Sequence, residues 1–306
     1  MRSQTPVHFD LEPGIWLIAD SFGDPRAPTV LMLHGGGQTR HAWRATAVNL
    51  AGAGWHVVTV DLRGHGESAR PTPPAYALDD FAADVRGLIA QLASAPFVIG
   101  ASLGGIAALL ALTEAPQAPA AGLVLVDVAH RFRPRGGTRV VNFMQERPEG
   151  FASLAEAAVA VAAYLPHRPP IDDPRGLRRN LRLGPDGRWV WHWDPALLGQ
   201  AARPLIEGQA ELSERLTRAA ERLRLPCLLV RGAESDVLTA TIAEEFLGLV
   251  AGATLAEVPR AGHMVAGDNN DAFAGAIRAW LDPLAPGPSP RRPEGALGAE
   301  TLRRPA

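Results

Sequence analysis

Lysine is missing altogether: all 30 basic side chains of this 306-residue chain are arginine. That excludes a Schiff-base lysine, a Ser-Lys dyad and a lysine anchor for pyridoxal phosphate. Cysteine occurs once, at Cys227 inside a strand candidate, so no intramolecular disulfide forms and a small buried hydrophobe is expected there. The two signs of charge nearly balance, so neither is in excess. With 32 acidic residues against 30 arginines the net charge is -2, which leaves no nucleic-acid footprint. No apolar run reaches the ~18–20 residues of a membrane span, and Met1 to Asp10 lack the charged-then-apolar pattern of a secretion signal. No group of His, Cys and acidic residues has metal-ligand spacing, and no repeat recurs at intervals of about 20–50 residues. A cytoplasmic chain with no metal, no membrane and no nucleic-acid partner is therefore expected. The composition, 47% hydrophobic and 20% charged, is ordinary for a globular chain with one sizeable core.

What is present centres on Phe97-Val98-Ile99-Gly100-Ala101-Ser102-Leu103-Gly104-Gly105. A short apolar run ends in Gly-x-Ser-x-Gly and continues as a helix-forming segment. A strand turning sharply into a helix crowds its own backbone, and glycines on either side of the serine remove the side chains that would collide. The Ser102 hydroxyl is then lifted clear of the sheet edge, while the Leu103 amide, at the helix start, faces a bound carbonyl oxygen.

Two further segments give this motif its context. Thr29-Val30-Leu31-Met32-Leu33 reads as a buried strand running into His34-Gly35-Gly36-Gly37-Gln38, a loop whose glycines expose their amides. Trp55 to Val60 reads as another strand, followed by Asp61-Leu62-Arg63-Gly64-His65-Gly66-Glu67-Ser68. With H-G-x-x, D-x-R-G-x-G-x-S and G-x-S-x-G in this order, the chain resembles the α/β-hydrolase superfamily over nearly its whole length.

The resemblance implies a serine nucleophile, an acid and a histidine in that chain order. Asp236, just past the strand candidate Leu225 to Val230, is the expected acid. Asp127, at the end of the strand candidate Gly122 to Val126, is its rival, because some superfamily members take the acid from there. His263, after the last strand candidate Thr254 to Val258, is the expected base. Gly36 and Leu103 are the expected oxyanion donors, with Gly37 as the competitor to Gly36. His34 and His65 are expected to shape the site, and Asp61 and Arg63 to hold their turn.

Strand and helix alternate from Met1 to Ala129, as a parallel sheet covered on both faces requires. The alternation breaks over 130–222 and resumes over 223–282. The intervening segment resembles the family's mainly helical cap; 283–306, rich in proline, glycine and arginine, is expected to be disordered. Within the segment Trp189, Trp191 and Trp193 recur at every second position, so they share one face of an extended strand. Anchoring the cap is the expected role. Lining an apolar pocket with Phe132, Phe143, Met144 or Tyr164 is the alternative. His192, on the opposite face, reads as a surface or cap-packing residue. Residues 131–222 hold 15 arginines against 11 acids, read as solvated faces, with an anionic substrate as the alternative.

The expected function is a cofactor-free serine carboxylesterase acting on a small or medium, largely apolar ester or lactone. C–C bond hydrolysis or perhydrolysis on the same residues, and a receptor without turnover, stay open. A dehalogenase or epoxide hydrolase of this fold carries aspartate at the elbow, which Ser102 argues against.

Overall fold

Runs of aliphatic and β-branched residues supply the strands of the computed structural model, which describes residues 4–200, 202–203 and 207–285. The ten strands are β1 (Thr5–Glu12), β2 (Ile15–Phe22), β3 (Thr29–Leu33), β4 (His56–Val60), β5 (Phe97–Ala101), β6 (Gly122–Val126), β7 (Leu181–Leu183), β8 (Trp189–Trp191), β9 (Cys227–Gly232) and β10 (Thr254–Val258). Eight of them form the main sheet in the order β1-β2-β4-β3-β5-β6-β9-β10. The first two strands pair antiparallel, as do β2 and β4, and every other pair is parallel.

The central strands are buried along their whole length because helices cover both faces. Leu31 and Leu33 of β3 enter one core cluster with helices α2 (Leu78–Ala90) and α3 (Leu103–Thr113). Their neighbours Val30 and Met32 point the other way, into a cluster with Ala47 and Leu50 of the earlier helix α1 (Arg44–Gly52) and with Phe273 and Ile277 near the carboxyl end. Cys227 lies in the first cluster as a buried free thiol, its pKa pushed up to about 12 by burial. It packs as the hydrophobe expected from its strand.

Between β6 and β9 the chain leaves the sheet. It forms α4 (Pro134–Gln145), α5 (Leu154–Tyr164), the β7–β8 hairpin and α6 (Gln209–Arg222). Ser153 caps α5 by accepting the Glu156 amide at 3.2 Å. The hairpin was not expected as such, since Leu181–Leu183 lies in an arginine-rich stretch without strand patterning. Residues 282–284 close the last helix as a 3-10 turn, and the remainder of the expected tail, 286–306, lies outside the described residues. Among the described residues no helix is long and apolar enough to cross a membrane.

Candidate active site

The parallel strands deliver their carboxyl ends to one edge of the sheet, and the register aligns them. Ala101 pairs with Val126, Val126 with Val230, and Gly232 with Val258. Ser102, Asp127 and the turn after Gly232 therefore emerge side by side on β5, β6 and β9.

Ser102 adopts φ 46° and ψ −116°, a conformation costly for any residue with a side chain. The turn is held by the Ser102 amide donating to Val126 O at 3.2 Å and by its carbonyl accepting from Ile106 at 2.9 Å. A Cβ on Gly100 would lie 2.5 Å from Gly104 O and 2.6 Å from the Gly105 backbone. Glycine at position 100 is thus what lets the helix fold back so tightly on the strand.

His263 and Asp127 meet although 136 residues separate them. His263 Nδ1 lies 2.8 Å from Asp127 Oδ2. The Asp127 side chain is fully buried, and that of His263 is 7% exposed. Asp127 has φ 51°, which turns its carboxylate beneath the end of β9. There Oδ1 accepts the Gly232 amide at 3.1 Å, and Oδ2 accepts the Ser235 hydroxyl at 2.5 Å. Ser235 Oγ in turn accepts the amides of Val237 and Leu238, each at 3.1 Å, so its own proton is left to donate to Asp127.

Asp236, the expected acid, makes no hydrogen bond to His263 among the described residues, because that place is taken by Asp127. Asp236 is exposed and forms a two-pronged pair with Arg139 of α4, both N–O distances being 2.9 Å. Partial burial would raise its pKa, but the Arg139 hydrogen bonds and charge outweigh this and hold the carboxyl below its ordinary value. Two local causes decide between the carboxylates. In the turn 232–238 consecutive side chains diverge, Ser235 inward and Asp236 outward. Gly232 also has no Cβ, which would lie 2.2 Å from Gly262 O and 2.5 Å from Ala261 O. The chain bearing His263 can therefore cross directly over the end of β9 and reach β6.

Of the four amides from Gly35 to Gln38, three have partners. Gly35 N–H donates to Gln38 Oε1 at 3.0 Å, Gly37 N–H to His65 Nε2 at 3.1 Å, and Gln38 N–H to Gly35 O at 3.1 Å. Among the described residues the Gly36 amide has no acceptor. Nor does the amide of Leu103, the first residue of α3, where the helix leaves donors unpaired.

Three histidines hold this loop. His34 accepts the Leu62 amide at Nε2 and donates from Nδ1 to Gly35 O. His65 accepts Gly37 N–H and donates to Arg63 O. His192, from the segment following β8, accepts Gly66 N–H at Nδ1 at 2.7 Å and turns Nε2 toward Gly37 O at 3.3 Å. Every ring uses one nitrogen as acceptor and one as donor, so all three are neutral. Burial, reinforced by neighbouring cations or histidines, lowers the His34 pKa to about 4, that of His65 to about 3, and that of His192 well below its ordinary value. His192 is 4% exposed: it packs the intervening segment as one of its two expected roles, and the clamp on Gly37 was not foreseen. Nothing in its sequence setting, an alternating tryptophan row, points to loop 34–38.

The motif around Asp61 is likewise structural. Buried Asp61 accepts the amides of Arg40 at 2.7 Å and Glu67 at 3.1 Å and pairs with the Arg40 guanidinium. Arg63 pairs with Asp84 through two 2.6 Å bonds.

Ser102 and His263 line one cavity of about 310 Å³. Its walls include Gly35 to Gln38 of the loop, and Val140, Phe143, Met144, Tyr164 and Arg179 of the segment between β6 and β9. Phe143 and Tyr164 stack with centroids 4.1 Å apart. Phe132 packs against the main core instead, and none of the tryptophans of the row lines the cavity. Trp191 and Trp193 stack at 4.8 Å, Trp193 is buried in the core, and Trp189 packs with Phe151 and Leu181. The row anchors the segment. Arg168 ties the same segment to the His263 loop through Asp268, which accepts Arg168 Nε at 2.6 Å and Gly262 N–H at 2.8 Å. Among the described residues no cluster of His, Cys, Asp and Glu could hold a metal ion.

A family model described as "Alpha/beta hydrolase family" matches residues 30–276. Esterase Rv0045c of Mycobacterium tuberculosis is 31% identical over 273 residues, covering 84% of this chain and 83% of its own. Its crystal structure superposes with a TM-score of 0.69 at 28% identity, covering 92% of each chain. The 3-hydroxybutyrate-oligomer hydrolase of Cupriavidus necator is 28% identical over 255 residues, 79% of this chain and 85% of its own. The E-2-(acetamidomethylene)succinate hydrolase structure, at 22% identity, has the same fold, with a TM-score of 0.79 over 92% of this chain and 100% of that one.

Proposed function

Because the chain belongs to the alpha/beta hydrolase family, whose relatives here include a named esterase, we propose that it is a cofactor-free serine hydrolase of small carboxylic esters. One observation carries the reading. Ser102 stands in a strained strand-to-helix turn and shares a cavity with His263, whose Nδ1 is bonded to buried Asp127.

A serine hydroxyl is scarcely ionised at neutral pH, so attack on a carbonyl needs a base. Asp127 fixes the His263 tautomer by accepting the Nδ1 proton, which leaves Nε2 unprotonated and able to take the proton of Ser102. The carboxylate also stabilises the imidazolium that results. Its three hydrogen bonds from Gly232, Ser235 and His263 hold it in place for this. As the tetrahedral intermediate forms, the amides of Gly36 and Leu103 receive the oxyanion. His263 then protonates the leaving alcohol, and water activated by the same ring hydrolyses the acyl-enzyme. The segment between β6 and β9 acts as the cap over this cavity, its Val140, Phe143 and Met144 supplying the apolar wall.

Hydrolysis of p-nitrophenyl acetate and butyrate tests the proposal. Steady turnover is expected from the wild type and its loss from Ser102→Ala. Turnover that survives Ser102→Ala contradicts it, and a single acylation without steady release favours a receptor.

A further inference from the structure

We propose, resting on the reading of Ser102 as an esterase nucleophile, that Arg179 and its neighbours on the cavity wall bind a carboxylate at the end of the substrate away from the scissile ester. The substrate class becomes the monoester of a short dicarboxylic acid rather than a purely apolar ester.

Charge inside the cavity carries the inference. The whole chain is slightly acidic, yet no aspartate or glutamate lines this cavity, whereas Arg168, Arg179 and His41 do. Arg168 is already spent on Asp268. Arg179 has no carboxylate, carbonyl or ring partner among the described residues, unlike Arg131, Arg139 and Arg215 of the same segment, which are paired with Glu245, Asp236 and Glu114. It ends the 3-10 turn Pro174–Arg179, whose start is set by Asp173 accepting the Arg175 amide at 3.0 Å. The free guanidinium is thus presented on a defined turn.

The donors beside it are also uncommitted. The side-chain amide of Asn180 has no partner among the described residues, and Gln38 Nε2 finds only the Met264 sulfur, at 3.2 Å, a weak acceptor. Burial, helped by Arg40 and Arg179 and outweighing Asp61 and Asp20, keeps the His41 pKa below its ordinary value. A carboxylate entering here meets the planar fork that suits two-pronged binding, together with neutral donors, and no competing acid. Val140, Phe143 and Met144 are left to seat the methylenes between this carboxylate and the ester. A volume of about 310 Å³ is at the small end of ligand sites, which run from roughly 300 to 1,000 Å³, and so suits short diacids.

Mono-p-nitrophenyl esters of succinate, glutarate and adipate, compared with p-nitrophenyl butyrate and valerate, test this through the anionic-to-neutral ratio of kcat/KM. The wild type is expected to favour an anionic ester, less so in high salt. Arg179→Ala should lower the ratio by on the order of 10–100-fold, Arg179→Glu further, and Arg179→Lys should restore part of it. Arg178→Ala, removing a side chain that stacks on Trp189, serves as the control, and melting curves verify folding of each variant. No anionic preference in the wild type, or a ratio indifferent to position 179, overturns the proposal. Calorimetric titration of Ser102→Ala with glutarate and with uncharged butyramide separates the two levels. Glutarate binding no tighter than butyramide, or unaffected by Arg179→Ala, overturns the carboxylate subsite even if neutral esters are hydrolysed. Tight, Arg179-dependent glutarate binding with no ester turnover upholds the subsite and counts against the esterase reading alone.

Discussion

His263 Nδ1 sits 2.8 Å from Asp127 Oδ2, so the imidazole at the cavity takes its carboxylate from the end of β6, not from the turn after β9. Asp127→Asn should therefore lower kcat by about 10⁴, because an amide no longer fixes the productive tautomer. Asp236→Asn should change kcat much less, since it releases only a partly exposed pair with Arg139. Ester hydrolysis by the two variants checks the ranking, and the reverse order returns the role to Asp236.

The difference between these carboxylates shows where sequence reading ends. The strands, the Ser102 elbow and His263 are legible because each rests on local pattern: an apolar run, a glycine spacing, a residue just past a strand. Strand Thr254–Val258 even has the expected bounds. Asp127 and Asp236 both follow strands, and local pattern does not separate them. What does is the missing Cβ of Gly232, which lets the His263 loop cross β9, and the left-handed φ of Asp127. Both matter only once three strands are packed together. The His192 contact with Gly37 joins residues 155 apart and left no trace at either position.

Ser235→Ala should cost stability. It removes a hydrogen bond to a buried carboxylate and strands the amides of Val237 and Leu238, a loss of about 1–3 kcal/mol. Urea denaturation measures it, and kcat should fall as Asp127 loses one of its anchors. A variant as stable and as active as the wild type contradicts the account of Asp127.

His192→Ala should lower kcat about tenfold with little change in KM, less than the 10²–10³ expected for losing an oxyanion donor outright. The clamp acts on Gly37, next to Gly36, and touches no substrate. His192→Gln, which keeps a donor near the Nε2 position, should recover part of the loss.

Acid should destabilise the protein through the same histidines. Their folded-state pKa values lie below the ordinary 6.5, at about 4 for His34 and about 3 for His65. As pH falls below about 6.5 the unfolded chain takes up protons that the folded chain refuses, so stability drops by on the order of 1 kcal/mol per pH unit for each such ring. The drop continues until the folded-state pKa is reached. Urea midpoints between pH 7 and 4.5 should fall less steeply for His192→Gln than for the wild type. Equal slopes would mean that His192 does not resist protonation.

The tryptophan row and the cavity wall should separate under mutation. Trp193→Ala, at a 3% exposed core position, should cost about 3–5 kcal/mol without altering acyl-length preference. Phe143→Ala, at the cavity wall, should shift that preference toward longer acyl chains. Kinetics across p-nitrophenyl esters of increasing length, alongside thermal melts, distinguish the two.

The most direct measurement is peptide mapping by mass spectrometry after treatment with a fluorophosphonate. One adduct is expected, on Ser102, formed quickly in the wild type and very slowly in His263→Ala and Asp127→Asn. An adduct on another residue, or Ser102 labelling at the same rate when His263 is absent, would contradict this expectation.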